Sequence, residues 1–318
     1  MLLMKRNNVV PFFNAEGLAR GASSTYTPIK TVVIPAAGLG SRMYPLTLAV
    51  PKPLLPLATD SLIGHAVKEA DKAGAEKIVI VCSPEQIQSF TDQFNPSGAQ
   101  TQSVAGESKK HFREQIEAYQ ALGRKLSFVT QATAKGLGNA IYQAKKEVQG
   151  TFGVILPDDV ILDEDMQQVG LRSLTQNLTG DFVVAYEQVP DEDTHRYGIL
   201  SVEEMTIQGV SRSIITGMVE KPKSEPPSNL AIMGRYILPE AIFDELENQA
   251  AGAGGEIQLT DAMATLLSSD RHVAIAKPYE GKRYDCGTIE SYMSSFAILS
   301  KKMQQRVSSA MPAAERRP

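Results

Sequence analysis

The sequence predicts an α/β fold, with a mostly parallel central sheet flanked by helices and an added β-rich part in the C-terminal half. Three observations predict it. Runs such as Thr31-Val32-Val33-Ile34-Pro35 and Lys77-Ile78-Val79-Ile80-Val81-Cys82 are apolar without alternation, as strands covered on both faces must be. Helical spacing separates them: Leu62, Ala66 and Ala70, with Ile63 and Val67 alongside, form one apolar face that stops at Gly74. From about Asp181 the pattern shortens to β runs punctuated by Pro and Gly, the mark of hairpins.

The elements follow in order. Thr31–Pro35, the helix from Leu62 and Lys77–Cys82 make a βαβ unit, whose crossover should be right-handed. Thr91–Gly106, rich in Gln, Ser, Thr and Gly, reads as a mobile loop. Glu107–Leu122 then sets Phe112, Ile116 and Tyr119 on one helical face. Leu126–Thr130 is a strand, Leu137–Val148 a helix, and Phe152–Leu156 a buried strand ending in Pro157-Asp158-Asp159. The β-rich part comprises Phe182–Glu187, Tyr197–Val202, Ile214–Glu220 and Leu230–Leu238. Helices over Pro239–Asn248 and Ile257–Ser268, a strand over His272–Tyr279 and a last helix from Ile289 complete the chain. No internal repeat is present, so residues 30–300 read as one domain, with 1–29 a flexible leader and 301–318 a tail.

Composition narrows the partners. The 318 residues carry a net charge of −4, which argues against nucleic acid as the main partner, because that binding needs a basic surface. Two distant cysteines, Cys82 and Cys286, point to a reducing, cytoplasmic setting without a disulfide framework. Four scattered histidines supply no zinc spacing. The apolar run Val9–Phe13 is too short for a signal peptide, and no stretch is long and apolar enough to span a membrane.

The most informative segment is Val32-Val33-Ile34-Pro35-Ala36-Ala37-Gly38-Leu39-Gly40-Ser41-Arg42, followed by Pro51-Lys52-Pro53-Leu54-Leu55-Pro56. A strand enters a glycine turn, then presents two cations on one connection leaving its C-terminal end, where parallel sheets bind ligands. A dinucleotide fingerprint would need a third glycine where Met43 stands and a ribose-binding acid about 20 residues on; a Walker loop would need G-x-x-x-x-G-K-[ST]. Both are missing. An ordinary strand-to-helix turn explains the glycines alone, but Arg42 and Lys52 together suit a bound polyphosphate. Pro51 and Pro53 stiffen the backbone of the lysine and so reduce the ordering cost of binding.

Those two motifs, with Ala134-Lys135-Gly136-Leu137-Gly138-Asn139-Ala140, Leu156-Pro157-Asp158-Asp159, Val219-Glu220-Lys221-Pro222, Ser228–Tyr236, Gly255–Ala262 and Tyr284-Asp285-Cys286-Gly287, resemble in unbroken order the sugar-phosphate nucleotidyltransferases. Within that family the chain is most similar to the bacterial UTP–glucose-1-phosphate uridylyltransferase branch. The resemblance covers about residues 30–300 and implies a Rossmann-like fold of the nucleotide-diphospho-sugar transferase type, with a nucleotide-binding part over about 30–160 and a sugar-binding part over about 161–300.

It also implies an activity: UTP and glucose 1-phosphate as substrates, UDP-glucose and pyrophosphate as products, and Mg²⁺ as cofactor. Residue by residue, it implies Arg42 and Lys52 on the departing pyrophosphate, Lys221 on the sugar's phosphate, and Glu220 on glucose hydroxyls. Gly198 and Asn229 fall in the sugar pocket, and Asp158 and Asp285 hold the metal, with Asp159 a competitor of Asp158. Ala37, Gly38, Gly40 and Gly136 offer backbone to the nucleotide, and the Gln131 amide, which donates and accepts, suits the edge of uracil. A homodimer or homotetramer is expected. Alternatives within reach are the same chemistry with another nucleotide, such as dTTP, or another sugar 1-phosphate, and a regulatory paralogue of weak activity.

Overall fold

The computed structural model describes residues 29–96, 110–175, 182–207, 210–269 and 272–310. In chain order the elements are β1 (Thr31–Pro35), β2 (Pro56–Leu57), β3 (Asp60–Ser61), α1 (Leu62–Lys72), β4 (Lys77–Cys82), α2 (Ile87–Phe94), α3 (Lys110–Gly123), β5 (Leu126–Thr130), α4 (Leu137–Gln143), β6 (Phe152–Ile155), β7 (Asp159–Leu162) and α5 (Gly170–Leu174). They continue with β8 (Phe182–Gln188), β9 (Gly198–Ile207), β10 (Val210–Glu220), β11 (Leu230–Leu238), α6 (Ile242–Asn248), α7 (Leu259–Ser268), β12 (Ala274–Pro278), β13 (Lys282–Asp285) and α8 (Ile289–Ala310).

One nine-stranded sheet organises the molecule in the order β5-β4-β1-β6-β11-β8-β12-β10-β9. The pairs β5–β4, β4–β1, β1–β6 and β8–β12 are parallel, while β11 runs antiparallel between β6 and β8. The β9–β10 hairpin curls back so that Ile199 also pairs Ala231 at the start of β11. This is the α/β sheet with an added β-rich part that the sequence predicts.

The unalternating strands explain the layering. Val32 and Ile34 of β1 and Ile78, Ile80 and Cys82 of β4 join Ile63, Ala66, Val67 and Ala70 of α1 in one core. Val33, Val79 and Val81 point the other way, into a second core with Ile141 of α4, Phe243 and Leu246 of α6 and Met263 and Leu266 of α7. Each face of the sheet therefore buries its own set. Helix α1 starts where the Ser61 side chain accepts from the Gly64 N–H at 3.0 Å and ends at Gly74 with φ 94°.

A third, smaller core matters most for function. Met43, Leu55, Leu57 and Leu62 meet Val160, Leu162, Tyr284, Cys286, Tyr292 and Leu299, so the two-stranded sheet of β7 and β13 and the helix α8 together support the loop after β1. Met43 is wholly buried there, worth about 2 kcal/mol of transfer free energy.

Four expectations change. Ile29, assigned to the leader, is fully buried in the first core, and residues 1–28 lie outside the described residues. Thr91–Phe94 belong to helix α2, where Phe90 and Phe94 are buried, rather than to a loop; residues 97–106 of that expected loop lie outside the described residues. Phe112 is 56% exposed, because α3 packs on α2 through its C-terminal half, with the Phe94 and Tyr119 rings stacked at 5.6 Å. The tail begins late: α8 runs to Ala310, tied down by Lys302 to Glu164 at 3.3 Å and Arg306 to Asp165 at 2.6 Å, and residues 311–318 lie outside the described residues. No helix among the described residues is long and apolar enough to cross a membrane.

Candidate active site: two cavities sharing one wall

The chain after β1 turns at once. The Ala36 N–H donates to Val81 O at 2.7 Å, and Gly40 then takes the left-handed conformation (φ 62°) that ushers in the short turn Ser41–Met43. The Gly40 carbonyl accepts from Met43 N at 2.9 Å and from the Thr47 hydroxyl at 2.8 Å. A side chain at Gly40 would be strained by that φ and would press on Lys52 Cβ at 3.0 Å. The turn thus leaves Arg42 exposed above buried Met43 and packs its own backbone against Lys52.

Pro35–Arg42, Lys52 and Pro53 form one side of a cavity of about 570 Å³, closed on the other by Gln131, Ala134, Gly136, Leu137, Ala140, Leu156–Asp158, Glu256 and Gly287. A second cavity, of about 450 Å³, is lined by charged side chains from the β-rich part: Arg196, Glu220, Lys221, Arg283 and Asp285, with Asp159, Tyr197, Gly198 and Thr260. Arg42, Leu137, Leu156, Asp158 and Gly287 line both. Two anionic reactants seated side by side would meet at that shared wall.

Asp158 is the charged centre of the wall. Its Oδ2 accepts from Lys52 Nζ at 2.7 Å, with the lysine side chain only 11% exposed. Burial works against the charge of Asp158, but Lys52, and behind it Arg42, outweigh burial and hold the carboxyl below its usual range. Asp159 is occupied differently: Oδ1 accepts from Arg283 Nε at 2.6 Å and Oδ2 from Gly234 N at 3.2 Å. Burial raises the Asp159 carboxyl against the pull of Arg283, and the neighbouring charge of Asp158 adds to the rise. Asp285 reaches the same region from β13, its Oδ1 accepting from Gly287 N at 2.9 Å. The Cys286 N–H donates to Asp158 O at 2.8 Å, and Asp285 registers opposite Asp159, so the two strands bring Asp158 and Asp285 into one neighbourhood.

Beneath the turn lies a buried ion pair. Arg235 of β11 donates from Nε to Glu69 Oε1 at 2.6 Å and from Nη2 to Oε2 at 2.8 Å, with both side chains at most 2% exposed. The same guanidinium donates to the carbonyls of Leu156 and Asp159, the residues bracketing Pro157-Asp158. Every donor direction of the arginine is used, which is what makes such a buried charge tolerable.

In the second cavity the Glu220 carboxylate accepts from the Thr260 hydroxyl at 2.8 Å and pairs with Lys221 Nζ at 3.0 Å. Lys221 is a non-glycine residue at φ 44°, pinned by its N–H on Tyr197 O at 3.0 Å. Such strain, about 1–3 kcal/mol, persists only where surrounding structure enforces it, commonly at ligand sites. A Cβ on Gly198 would meet the side-chain ends of Ile232 at 2.9 Å, Thr260 at 3.1 Å and Glu220 at 3.2 Å, so any side chain there would push on this carboxylate and its partner.

Of the residues singled out in the sequence, Ala37, Gly38, Gly40, Arg42, Lys52, Gln131, Gly136 and Asp158 line the first cavity. Gly198, Glu220, Lys221 and Asp285 line the second, with Arg42 and Asp158. Asn229 is a correction: it lines neither cavity, because its side chain bridges Asp191 at 3.2 Å and Gln188 at 3.3 Å and so ties down the turn between them. The sequence reading missed Arg196, Arg283, Thr260 and the Glu69–Arg235 pair. Arg196 and Arg283 adjoin motif residues already noted, Tyr197-Gly198 and Tyr284-Asp285, and proximity to those motifs was the available signal.

A mostly parallel sheet whose strand ends open onto a glycine turn bearing Arg42 and facing Lys52, backed by a second charged cavity, is the architecture of a nucleotide-dependent group-transfer enzyme. Residues 31–302 match the nucleotidyl transferase family, and the chain belongs to it. It is 37% identical over 282 residues to a UTP–glucose-1-phosphate uridylyltransferase of Staphylococcus epidermidis, covering 87% of this chain and 95% of that relative. Among solved structures, a UDP-glucose pyrophosphorylase complexed with UDP-glucose is 36% identical with a TM-score of 0.73, over 86% of this chain and 99% of that one. A UTP-bound UDP-glucose pyrophosphorylase from Acinetobacter baumannii is 30% identical with a TM-score of 0.72, over 89% of this chain and all of that one.

Proposed function

We propose that this chain transfers the uridylyl group of UTP to glucose 1-phosphate, giving UDP-glucose and pyrophosphate. The observation that carries the reading is the wall of Arg42 and Asp158 shared by the two cavities. With UTP in the first and glucose 1-phosphate in the second, the sugar's phosphate oxygen attacks the α-phosphorus, that bond forms, and the bond from the α-phosphorus to the pyrophosphate oxygen breaks. The names of the relatives, and the UTP and UDP-glucose held by two of them, support the choice of substrates.

The residues divide the work. Arg42, which makes no ion pair with any described residue, and Lys52 stabilise the charge that grows on the leaving pyrophosphate. Ala37, Gly38, Gly40 and Gly136 give backbone to the nucleotide, and Gln131 reads its base. Lys221 and Arg196 draw the sugar's phosphate into the second cavity, and Glu220 accepts from sugar hydroxyls beside Gly198. Catalysis of this kind is positioning and electrostatics, with no covalent intermediate on the protein.

Mg²⁺ fits the donor set. The ion takes one or two carboxylates plus substrate phosphates and waters, and Asp158 and Asp285 line the second cavity together, Asp158 with Oδ2 on Lys52 and Asp285 with Oδ1 facing Gly287 N and, at 3.6 Å, Arg283. These two would hold it, and when bound it would neutralise phosphate oxygens and align the reactants. We further place the enzyme in the cytoplasm as a homodimer or homotetramer, in keeping with its two free, buried cysteines; sedimentation of the purified protein tests the assembly. The nucleotide side falls mainly in residues 30–160 and the sugar side mainly in 161–300, as the two cavity linings suggest.

The deciding assay measures pyrophosphate release from UTP and glucose 1-phosphate with Mg²⁺, against a matrix of dTTP, CTP and other sugar 1-phosphates. UTP with glucose 1-phosphate should give the highest kcat/KM, and no turnover with that pair rejects the reading. Arg42→Ala, exposed and free of packing, should lower kcat about 10²–10³-fold with the fold intact.

A further inference from the structure

We infer that Asn139 fixes which end of the Gln131 amide meets the nucleotide, and thereby makes the first cavity choose uracil over cytosine. The inference rests on the nucleotide reading above and deepens it, because Asn139 lines neither cavity and acts only through Gln131.

Gln131 directly follows β5, and its backbone N–H donates to Cys82 O at 2.9 Å. The side chain is buried, at 6% exposure, yet lines the first cavity. Its Nε2 donates to Asn139 Oδ1 at 2.8 Å and approaches Gly136 O at 3.4 Å. A backbone carbonyl can only accept, so the group beside Gly136 O has to be the NH₂; the reversed amide would set two carbonyl oxygens against each other. With both N–H bonds directed at protein oxygens, Oε1 is the atom the amide has for the cavity.

That orientation discriminates. Uracil carries a ring N3–H, a donor that a carbonyl oxygen can accept. Cytosine carries a bare lone pair at N3, which would face Oε1 acceptor to acceptor. A site built around one polar partner rejects an analogue that lacks it. Asn139, in the first turn of α4, makes the shorter of the two contacts that hold the amide. Without it, the long approach to Gly136 O is the remaining restraint, and the amide can turn to offer NH₂ to cytosine.

Calorimetric titration of UTP and of CTP into the wild-type protein, Asn139→Ala and Asn139→Asp tests this. The wild type should prefer UTP. Asn139→Ala should lose about tenfold of that preference, the effect of one hydrogen bond. Asn139→Asp, an acceptor only, should retain it, a rescue that a loss of packing does not predict. The position is half-buried and Asp is isosteric with Asn, so a thermal melt of both variants should match the wild type within a few degrees. An unchanged preference in Asn139→Ala, a loss in both variants, or a wild type indifferent between the nucleotides overturns the inference. UTP binding without pyrophosphate release on addition of glucose 1-phosphate rejects the proposed reaction and leaves the base selection standing. No UTP binding at all overturns both.

Discussion

The two cavities are built from different materials. Away from Lys52, Gln131, Glu256 and the charged wall that they share, the first is lined by backbone and small apolar side chains, Pro35 to Gly40 on one side and Ala134, Leu137 and Ala140 on the other. The second is walled by ionised side chains, Arg196, Glu220, Lys221, Arg283 and Asp285 among them. A nucleotide offers a flat base and ribose that need close approach, whereas a sugar phosphate offers hydroxyls and charge that need partners. Backbone walls change little when one side chain is altered; a wall of interlocked charges passes each change to its neighbours.

Substitutions at three places press on that contrast. The largest effect should come from beneath the wall the cavities share. Arg235→Met leaves Glu69 buried at 2% exposure without its partner, and should cost about 3–5 kcal/mol in chemical denaturation. It should impair both substrates alike, since Arg235 braces the carbonyls on either side of Pro157-Asp158. The double variant Glu69→Leu/Arg235→Met should recover most of the stability; a double variant as unstable as the single would show that the charges matter less than the shape.

A smaller effect should separate the cavities. Thr260→Val keeps the volume but removes the hydroxyl that donates to Glu220. The KM for glucose 1-phosphate should rise roughly fivefold to tenfold, about 1 kcal/mol, with the KM for UTP unchanged. An equal rise for both substrates would merge the two cavities into one functional unit.

The smallest effect should leave both cavities untouched. His65 is buried, its Nε2 bonded to Leu57 O at 2.9 Å and its Nδ1 to the Gln168 amide at 3.1 Å, an arrangement that suits the neutral ring. Burial lowers its pKa from 6.5. Below that pH the unfolded chain takes up a proton that the folded chain refuses, so stability is full above about pH 6.5 and falls as the pH drops beneath it. The loss should stay near 1 kcal/mol for the first pH unit, and His65→Leu should flatten it. A wild-type stability that is level from pH 7.5 to 5.5 would contradict this assignment.

The same contrast explains what the sequence made legible. One wall of the first cavity is nearly continuous in the chain, and its glycines and cations announce themselves within Val32–Pro56. The second cavity is gathered from Arg196, Glu220, Thr260 and Arg283, and only ordered resemblance pointed to Glu220. No local pattern marks Arg235 as a brace, because Glu69 lies 166 residues away. The β7–β13 pair escaped for the same reason, being two four-residue strands far apart in sequence. Helix α2 was hidden by its polar residues, yet Ser83 and Gln86 form a capping box at its entrance, a signal that was there to be read.

The third core has a consequence for how the enzyme comes into being. The turn bearing Arg42 rests on Tyr284, Tyr292 and Leu299, and the Tyr292 hydroxyl donates to Pro56 O across 236 residues of chain. On a ribosome adding about 5–20 residues per second, the turn that bears Arg42 emerges many seconds before the helix that props it up. A nascent or truncated chain lacking that helix holds this turn without part of its floor. Without α8 the Tyr292 bond to Pro56 and the packing of Leu299 in that core are lost together, so the position of the Arg42 turn depends on a helix more than 200 residues downstream.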